Sequence, residues 1–87
     1  MSDKQCVEGE TVSFECEVNK ENSPAMWLRD GVPITEEDGY EFICDGTKHI
    51  LKIPEANIEH EAEYTVKING CESTARLKVE GQFVFIF

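Results

Sequence analysis

The sequence predicts an all-β fold, an antiparallel sandwich or barrel, and three observations support it. Apolar and polar residues alternate along most of the 87-residue chain. Turn dipeptides such as Asp30-Gly31 and Asn69-Gly70 separate the alternating runs. Helical periodicity is nearly absent, since only residues 55–62 break the alternation. A chain of this length makes one domain.

The first half of the chain contains four predicted strands, each with one apolar face. The second strand spans Ala25 to Arg29 and ends at Asp30-Gly31, the third ends at Asp45-Gly46, and the fourth ends at Pro54. The inward residues of the first strand are Val12, Phe14, Cys16 and Val18, and that of the second is Trp27. Those of the third are Tyr40, Phe42 and Cys44, and those of the fourth are His49, Leu51 and Ile53.

The second half begins with the one segment that predicts a helical turn, residues 55–62. Its single apolar anchor, Ile58, is expected to tuck under the sandwich. Asn69-Gly70 then lies between two alternating runs and predicts a tight hairpin, because both residues tolerate a positive φ. The inward residues of these two strands are Tyr64, Val66 and Ile68, then Ala75, Leu77 and Val79.

The charge balance excludes several classes of partner. The chain has 18 acidic and 8 basic residues, for a net charge of −10. Such a surface repels nucleic acid and anionic lipid, which bind clustered Lys and Arg. Neither a signal peptide nor an apolar run of membrane-helix length is seen. We expect other protein modules with basic or neutral surfaces as partners, no nucleic acid and no membrane.

No residue pattern points to catalysis, a metal or a cofactor, and none of these is predicted. His49 and His60 lack the spacing of a metal site. No serine or cysteine has a catalytic partner placed by a motif. The acidic run Glu36-Glu37-Asp38 could dock a partner or a cation, but a solvated loop is the preferred interpretation.

Three spaced features resemble the intermediate (I) set of immunoglobulin-like domains. Trp27 follows Cys16 by 27 − 16 = 11 residues and lies on the next strand. Leu51-Lys52-Ile53 precedes the segment 62–66 (Ala-Glu-Tyr-Thr-Val), which places Tyr64 where the family has its tyrosine corner. The resemblance covers residues 7–79. The segments 8–18 and 27–31 resemble modules of the giant muscle proteins of the titin and obscurin family.

The resemblance implies a structural core and two departures from the family pattern. Val66 stands where secreted members have the second cysteine, so the cross-sheet disulfide with Cys16 cannot form, which fits a reducing compartment. His60 replaces the usual acidic residue before the tyrosine, which removes that corner's usual ion pair. The implied core residues are Cys16, Trp27, Leu51, Ile53, Tyr64, Val66 and Leu77.

The resemblance also divides the chain into a domain, residues 4–80, and a C-terminal tail or linker, residues 81–87. The family's strand A is truncated or missing, which leaves residues 4–7 for a short strand A′ parallel to the last strand. The tail contains five consecutive β-forming residues without charge or proline, so it is a candidate for self-association by strand addition. These residues are Phe83, Val84, Phe85, Ile86 and Phe87.

Two questions about side chains stay open from the sequence. Met26, Leu28 and Ile43 either form a protein-binding patch or are covered by the segment that contains Val32 and Ile34. Cys6 and Cys71 are expected near the same end of the sandwich. Two separate thiols there are the preferred interpretation over a redox-formed bridge.

The resemblance implies a non-enzymatic structural module of a sarcomeric protein, located in the cytoplasm and working in a tandem array. Its functions would be elasticity, mechanical strength and protein docking. Pulling on the two ends would load the contacts between strand A′ and the last strand in shear. The alternatives are an extracellular adhesion or receptor domain and a regulatory module beside a muscle kinase. Val66 and the lack of an N-x-Ser/Thr acceptor argue against the extracellular alternative.

Overall fold

The computed structural model describes residues 1–21 and 23–81, which form two β-sheets packed face to face. Two 3₁₀ turns, Glu36–Asp38 and Ile58–His60, are the helical elements of this described part. None of its helices has the length and apolar character of a membrane span. The strands are β1 (Lys4–Val7), β2 (Val12–Glu17), β3 (Ala25–Arg29), β4 (Val32–Pro33), β5 (Glu41–Asp45), β6 (Lys48–Ile53), β7 (Ala62–Ile68) and β8 (Cys71–Glu80).

The strand order is that of a sandwich with one large and one small sheet. The large sheet has the order β1-β8-β7-β3-β4, and the small sheet has the order β2-β6-β5. β1 pairs with β8 in parallel, and the other pairs are antiparallel. The all-β class predicted from the alternation is therefore confirmed, and of the two predicted architectures it is the sandwich, as the resemblance implied.

Two of the predicted turns have the backbone that their residues favour. Asp30 and Gly31 have φ values of 49° and 83°, and Asn69 and Gly70 have values of 50° and 79°. Two successive positive φ angles make the tight hairpin turn whose twist matches that of the flanking strands. The first turn joins β3 to β4 and the second joins β7 to β8.

The core lies between the sheets and consists of residues from the inward faces of both. Phe14, Leu51, Ile53 and Tyr64 are fully buried. Alternation along β2, β6, β7 and β8 is nearly complete, as a sheet with one face in the core requires. The other members of the buried cluster are Cys6, Val12, Trp27, Tyr40, Ala56, Ala62, Val66, Ile68, Ala75, Leu77 and Val79.

The turn at residues 55–62 differs from its prediction in the residue that anchors it. Ile58 is 56% exposed, whereas Ala56 is 1% exposed and belongs to the core. Backbone hydrogen bonds explain the choice: the Ala56 N–H donates to the Glu10 carbonyl at 2.9 Å, and the Ala56 carbonyl accepts from the Gly9 N–H at 2.7 Å. These bonds hold residue 56 against the β1–β2 turn. Ile58 then begins a 3₁₀ turn that faces outward.

Candidate functional site

The strands that connect to the two ends of the described chain lie side by side. The β1–β8 register pairs Lys4 with Leu77 and Val7 with Glu80. Beyond β1, the Glu8 N–H donates to the Glu80 carbonyl at 2.7 Å. The chain enters β1 at Lys4 and leaves β8 at Glu80, so tension along the chain pulls the two parallel strands in opposite directions. This pairing, called here the terminal clamp, is loaded in shear, as the resemblance implied.

Two hydrogen bonds from side chains add to the backbone pairing of the terminal clamp, one at each of its ends. The Gln5 amide donates to the Glu80 carboxylate at 2.6 Å, and the Arg76 N–H donates to the Asp3 carboxylate at 3.0 Å. Cys6 points into the core beneath the clamp. Burial, and to a lesser degree the Glu10 carboxylate, raises the pKa of the Cys6 thiol, so the thiol stays protonated at neutral pH.

The lower end of the sandwich contains a tyrosine cluster, made of Phe14, Tyr40, His60 and Tyr64. The Tyr64 hydroxyl donates to the His60 carbonyl at 2.6 Å, which is the tyrosine corner that the resemblance implied. Its ring lies 5.4 Å from that of Phe14 and 6.1 Å from that of Tyr40, centroid to centroid. Burial, then the hydrogen bond with Tyr40, raises the pKa of Tyr64 far above its ordinary value. The hydroxyl is therefore neutral at physiological pH and can donate a hydrogen bond.

His60 closes this end in place of the family's usual acidic residue. Its Nδ1 accepts from the Asn57 N–H at 2.9 Å, and the Asn57 side chain accepts from the Glu59 N–H at 2.8 Å. The Arg29 guanidinium donates to the Glu59 carbonyl beside it. Burial, and then the charge of Arg29, lowers the pKa of His60, while Glu59 opposes the shift. The neutral imidazole is thus the form that caps the turn.

The upper end of the sandwich contains different residues. Cys16, His49 and Cys44 form a row across the small sheet. His49 is the register partner of both cysteines. Directly paired residues on antiparallel strands point to the same face, which here is the face toward the core. Cys16 is half-buried, His49 is 3% exposed and Cys44 is exposed. The alternation predicts a strand through His49 but not this row, because the pairing between strands sets it.

An opening of about 420 Å³ lies between the sheets on the Cys44 side of the row. Met26, Trp27, Ile34 and Phe42 contribute to its lining, together with His49. The His49 Nε2 is buried and has no hydrogen-bond partner among the residues described. A buried polar nitrogen without a partner costs about 1–3 kcal/mol of stability. Among the described residues, the upper end therefore has a buried polar group without a hydrogen-bond partner, whereas the Tyr64 hydroxyl at the lower end has one.

A groove of about 390 Å³ lies on the Cys16 side of the row, between β2 and β8. Cys16 and Val18 line it from the small sheet. Val66 and Ile68 form its floor, and Cys71 and Ser73 line it from β8. The ladder partners of β2 in the described chain all lie on β6, so the edge of β2 along the groove has no paired strand. An unpaired strand edge beside an apolar groove can accept an added strand.

The remaining candidate residues separate into exposed and covered positions. Met26 and Ile43 are exposed, Leu28 is buried, and Ile34 packs partly against the core. The contiguous patch of Met26, Leu28 and Ile43 is therefore not present, since Leu28 is covered. The acidic run Glu36–Asp38 forms an exposed 3₁₀ turn. Of the core residues implied by the resemblance, all lie in the buried cluster except Cys16, which packs against it.

Cys6 and Cys71 lie at opposite ends of β8, not near the same end. Cys6 pairs with Val79, whereas Cys71 is the first residue of that strand. Eight residues of extended strand span about 27 Å, far beyond the ~7 Å that a disulfide allows between Cα atoms. The expectation was wrong because β1 pairs with the end of β8 rather than with its start. The four cysteines, all within the described residues, are free thiols.

No three His, Cys, Asp or Glu side chains of the described residues converge as metal ligands would. The aromatic tail, Phe83 to Phe87, lies outside the described residues. The described residues therefore provide three features for function. These are a pair of parallel strands that tension loads in shear, two openings between the sheets, and a strongly acidic surface.

Comparison with known proteins agrees with the observed fold. The immunoglobulin I-set domain model matches residues 1–80. Chicken fast-type myosin-binding protein C is 45% identical over 82 residues, which are 92% of this chain and 7% of that protein. Mouse cardiac-type myosin-binding protein C is 42% identical over 82 residues, 92% of this chain and 6% of that protein. The chain thus spans less than a tenth of the length of these relatives.

Solved structures of muscle proteins have the same architecture. Domain I10 of titin superposes with a TM-score of 0.87 at 37% identity, covering 91% of this chain and 90% of that one. An Ig-like domain of human obscurin-like protein 1 superposes with a TM-score of 0.89 at 25% identity, covering 95% of this chain and 80% of that one. These similarities are to proteins and immunoglobulin-like domains of muscle. The chain belongs to the immunoglobulin I-set family, in the branch that forms modules of muscle proteins.

Proposed function

We propose that this chain is a load-bearing module of a sarcomeric protein, contributing length, mechanical strength and a docking surface for neighbouring protein modules. The observation that carries the proposal is the terminal clamp. Because β1 and β8 are parallel, tension between Lys4 and Glu80 is directed along both strands. The hydrogen bonds between the strands then resist together rather than one after another.

Contacts outside the ladder support this function. The Glu61 carboxylate accepts from the Val79 N–H at 3.0 Å, which ties β8 to the turn that contains the tyrosine corner. The Asp30 carboxylate accepts from the Glu63 N–H at 2.9 Å, and the Asp30 N–H donates to the Glu63 carbonyl at 2.8 Å. Movement of β8 under load is therefore opposed by the lower end of the sandwich as well as by β1.

The relatives and the charge of the module support a sarcomeric location and protein partners. Chicken fast-type myosin-binding protein C is similar to this chain in sequence, and domain I10 of titin is similar to it in structure. A net charge of −10 favours basic or neutral protein surfaces. We expect an antibody raised against this sequence to label striated myofibrils of the source organism. Labelling confined to the surface of cells would favour the extracellular alternative instead.

Single-molecule stretching along two directions tests the mechanical proposal. Handles on the two ends load the terminal clamp in shear. Handles on Glu63 and Arg76, attached through unnatural amino acids, load the β7–β8 pair from its open end, where these residues are exposed register partners. We expect unfolding from Glu63 and Arg76 at roughly half the force or less, because antiparallel bonds pulled from one end break in turn.

The control is the equilibrium stability of both handle-bearing proteins, which should be equal in denaturant. Equal stability with unequal force assigns the difference to direction. Equal forces in both directions would show that the terminal clamp does not bear the load, and the proposed function would lose its main support.

A further inference from the structure

We propose that the groove between β2 and β8 is a docking site for the aromatic tail, residues 83–87, of a second copy of this chain. The groove has an apolar floor, Val66 and Ile68, and apolar or weakly polar walls that include Cys16, Val18 and Cys71. It lies along an edge of β2 that has no ladder partner among the described residues. An extended apolar segment can satisfy both features at once, through main-chain hydrogen bonds to the edge and side chains in the groove.

The tail has the composition that such a groove requires. Its five residues Phe83 to Phe87 are all β-forming and carry no charged side chain. Glu17 and Glu72 stand on the two sides of the groove, so an acidic segment would be repelled and an uncharged one would not. Side chains alternate along an added strand, so Phe83, Phe85 and Phe87 would enter the groove together.

Distance decides that the tail comes from another molecule. β8 runs from the groove at Cys71 to its end at Glu80. The path from Gly81 back to Ser73 is eight residues of extended strand, or about 27 Å. Residues 82–87 extend to about 20–22 Å at most. A chain therefore cannot place its own tail in its own groove, whereas a neighbouring copy can.

The association this predicts is either a reciprocal pair or a head-to-tail chain of copies, because the groove and the start of the tail lie at opposite ends of the module. The inference is independent of the proposed mechanical function, which concerns the opposite end of β8. Shear resistance of the terminal clamp and tail docking can each fail without the other.

Sedimentation of the full 87-residue chain and of two charge-matched variants tests the association. Phe85→Asp places a carboxylate in the middle of the segment that would dock, and Gln82→Asp places the same charge before it. We expect wild type and Gln82→Asp to associate as concentration rises and Phe85→Asp to stay monomeric. Monomers for all three proteins, or association of Phe85→Asp as strong as that of wild type, would overturn the proposal.

The reactivity of the native thiols locates the contact. Cys71 and Cys16 line the groove, while Cys44 is exposed beside the other inter-sheet opening and is the internal reference. We expect alkylation of Cys71 to slow roughly tenfold when about 90% of grooves are occupied, since only free grooves react. Cys44 should react at one rate throughout, and Phe85→Asp should abolish the protection of Cys71.

Two other results would contradict the docking site. Association with protection of Cys44 but not of Cys71 would place the tail in the other opening. Equal protection of Cys71 in wild type and Phe85→Asp would mean that the chain's own residues near Met1 close the groove, since the Met1 amino group donates to the Ser73 hydroxyl at 2.7 Å.

Discussion

The two ends of this sandwich lie on the same strands but differ in their packing and in the hydrogen bonds of their buried polar groups. At the lower end, the tyrosine cluster packs four rings together, and its hydroxyls and capping groups have partners. At the upper end, the same small sheet presents Cys16, His49 and Cys44, with an opening on each side of the row. What distinguishes the lower end is its packed rings and the hydrogen bond of the Tyr64 hydroxyl, since openings also lie beside Tyr40 and beside Gln5. Among residues 1–21 and 23–81, the upper end has a buried His49 nitrogen without a hydrogen-bond partner and an edge of β2 without a paired strand, features that binding surfaces use.

Phe14 and Cys16 give the largest expected contrast, because both point inward from β2 two residues apart. Phe14 is fully buried against Tyr64, so Phe14→Ala should cost about 3–5 kcal/mol. Cys16→Ala should cost about 1 kcal/mol or less, since the half-buried thiol borders an open groove and leaves no closed cavity. Urea unfolding of both variants measures this. Similar losses would mean that the two ends are equally well packed.

Tyr64→Phe tests the hydrogen bonds of the tyrosine cluster without changing its packing. The substitution leaves the His60 carbonyl without its donor at 2.6 Å, and we expect a loss of about 1–3 kcal/mol in the free energy of unfolding. Tyr40→Phe is the matched control. Its hydroxyl contacts the Tyr64 hydroxyl at 3.3 Å, a longer contact whose loss should cost less. A larger loss for Tyr40→Phe would shift the centre of the cluster from Tyr64 to Tyr40.

His49→Leu tests whether the buried His49 side chain at the upper end lacks a stabilising hydrogen bond. Removing a buried nitrogen that has no partner in the described part of the chain should leave stability unchanged or raise it by up to ~1 kcal/mol. Thermal and urea unfolding measure the difference from wild type. The reference variant is Leu51→Ala on the same strand, which should cost about 2–5 kcal/mol because Leu51 is fully buried. A loss near that of Leu51→Ala would indicate that His49 makes a stabilising bond, for example to a buried water.

The smallest expected effect is a pH dependence through His60. Its folded-state pKa lies below the ordinary value of 6.5, so the unfolded chain binds a proton more readily than the folded one. The contribution of His60 is therefore fully present above pH 6.5 and is lost as the pH falls below it. Protonated Nδ1 can no longer accept from the Asn57 N–H.

Urea midpoints at pH 7.5 and 5.5, for wild type and His60→Gln, measure this dependence. Glutamine keeps an acceptor for the Asn57 N–H but does not titrate. The decrease between the two pH values should be smaller in His60→Gln than in wild type. An identical decrease in both proteins would assign the dependence to other groups.

Local patterns in the sequence were sufficient for the all-β class, the strands and two of the turns. Alternation predicts which face of each strand is buried, because side chains on a strand point to opposite faces in turn. Asp30-Gly31 and Asn69-Gly70 predict turns, because both positions of such a turn need a positive φ. The position of Tyr64 predicts its corner through the family resemblance. None of these inferences required knowledge of which strands are neighbours.

What the sequence by itself determined was therefore the strands, their buried faces and the hairpin turns, each set by residues close together in the chain. The tertiary structure alone decided which residues from distant strands meet. It put Cys6 and Cys71 at opposite ends of β8, chose Ala56 over Ile58 as the anchor of the turn, and aligned Cys16, His49 and Cys44 in one row. The physical reason is that strand register and sheet order depend on hydrogen bonds between residues tens of positions apart, and alternation is the same for every register that shifts by two.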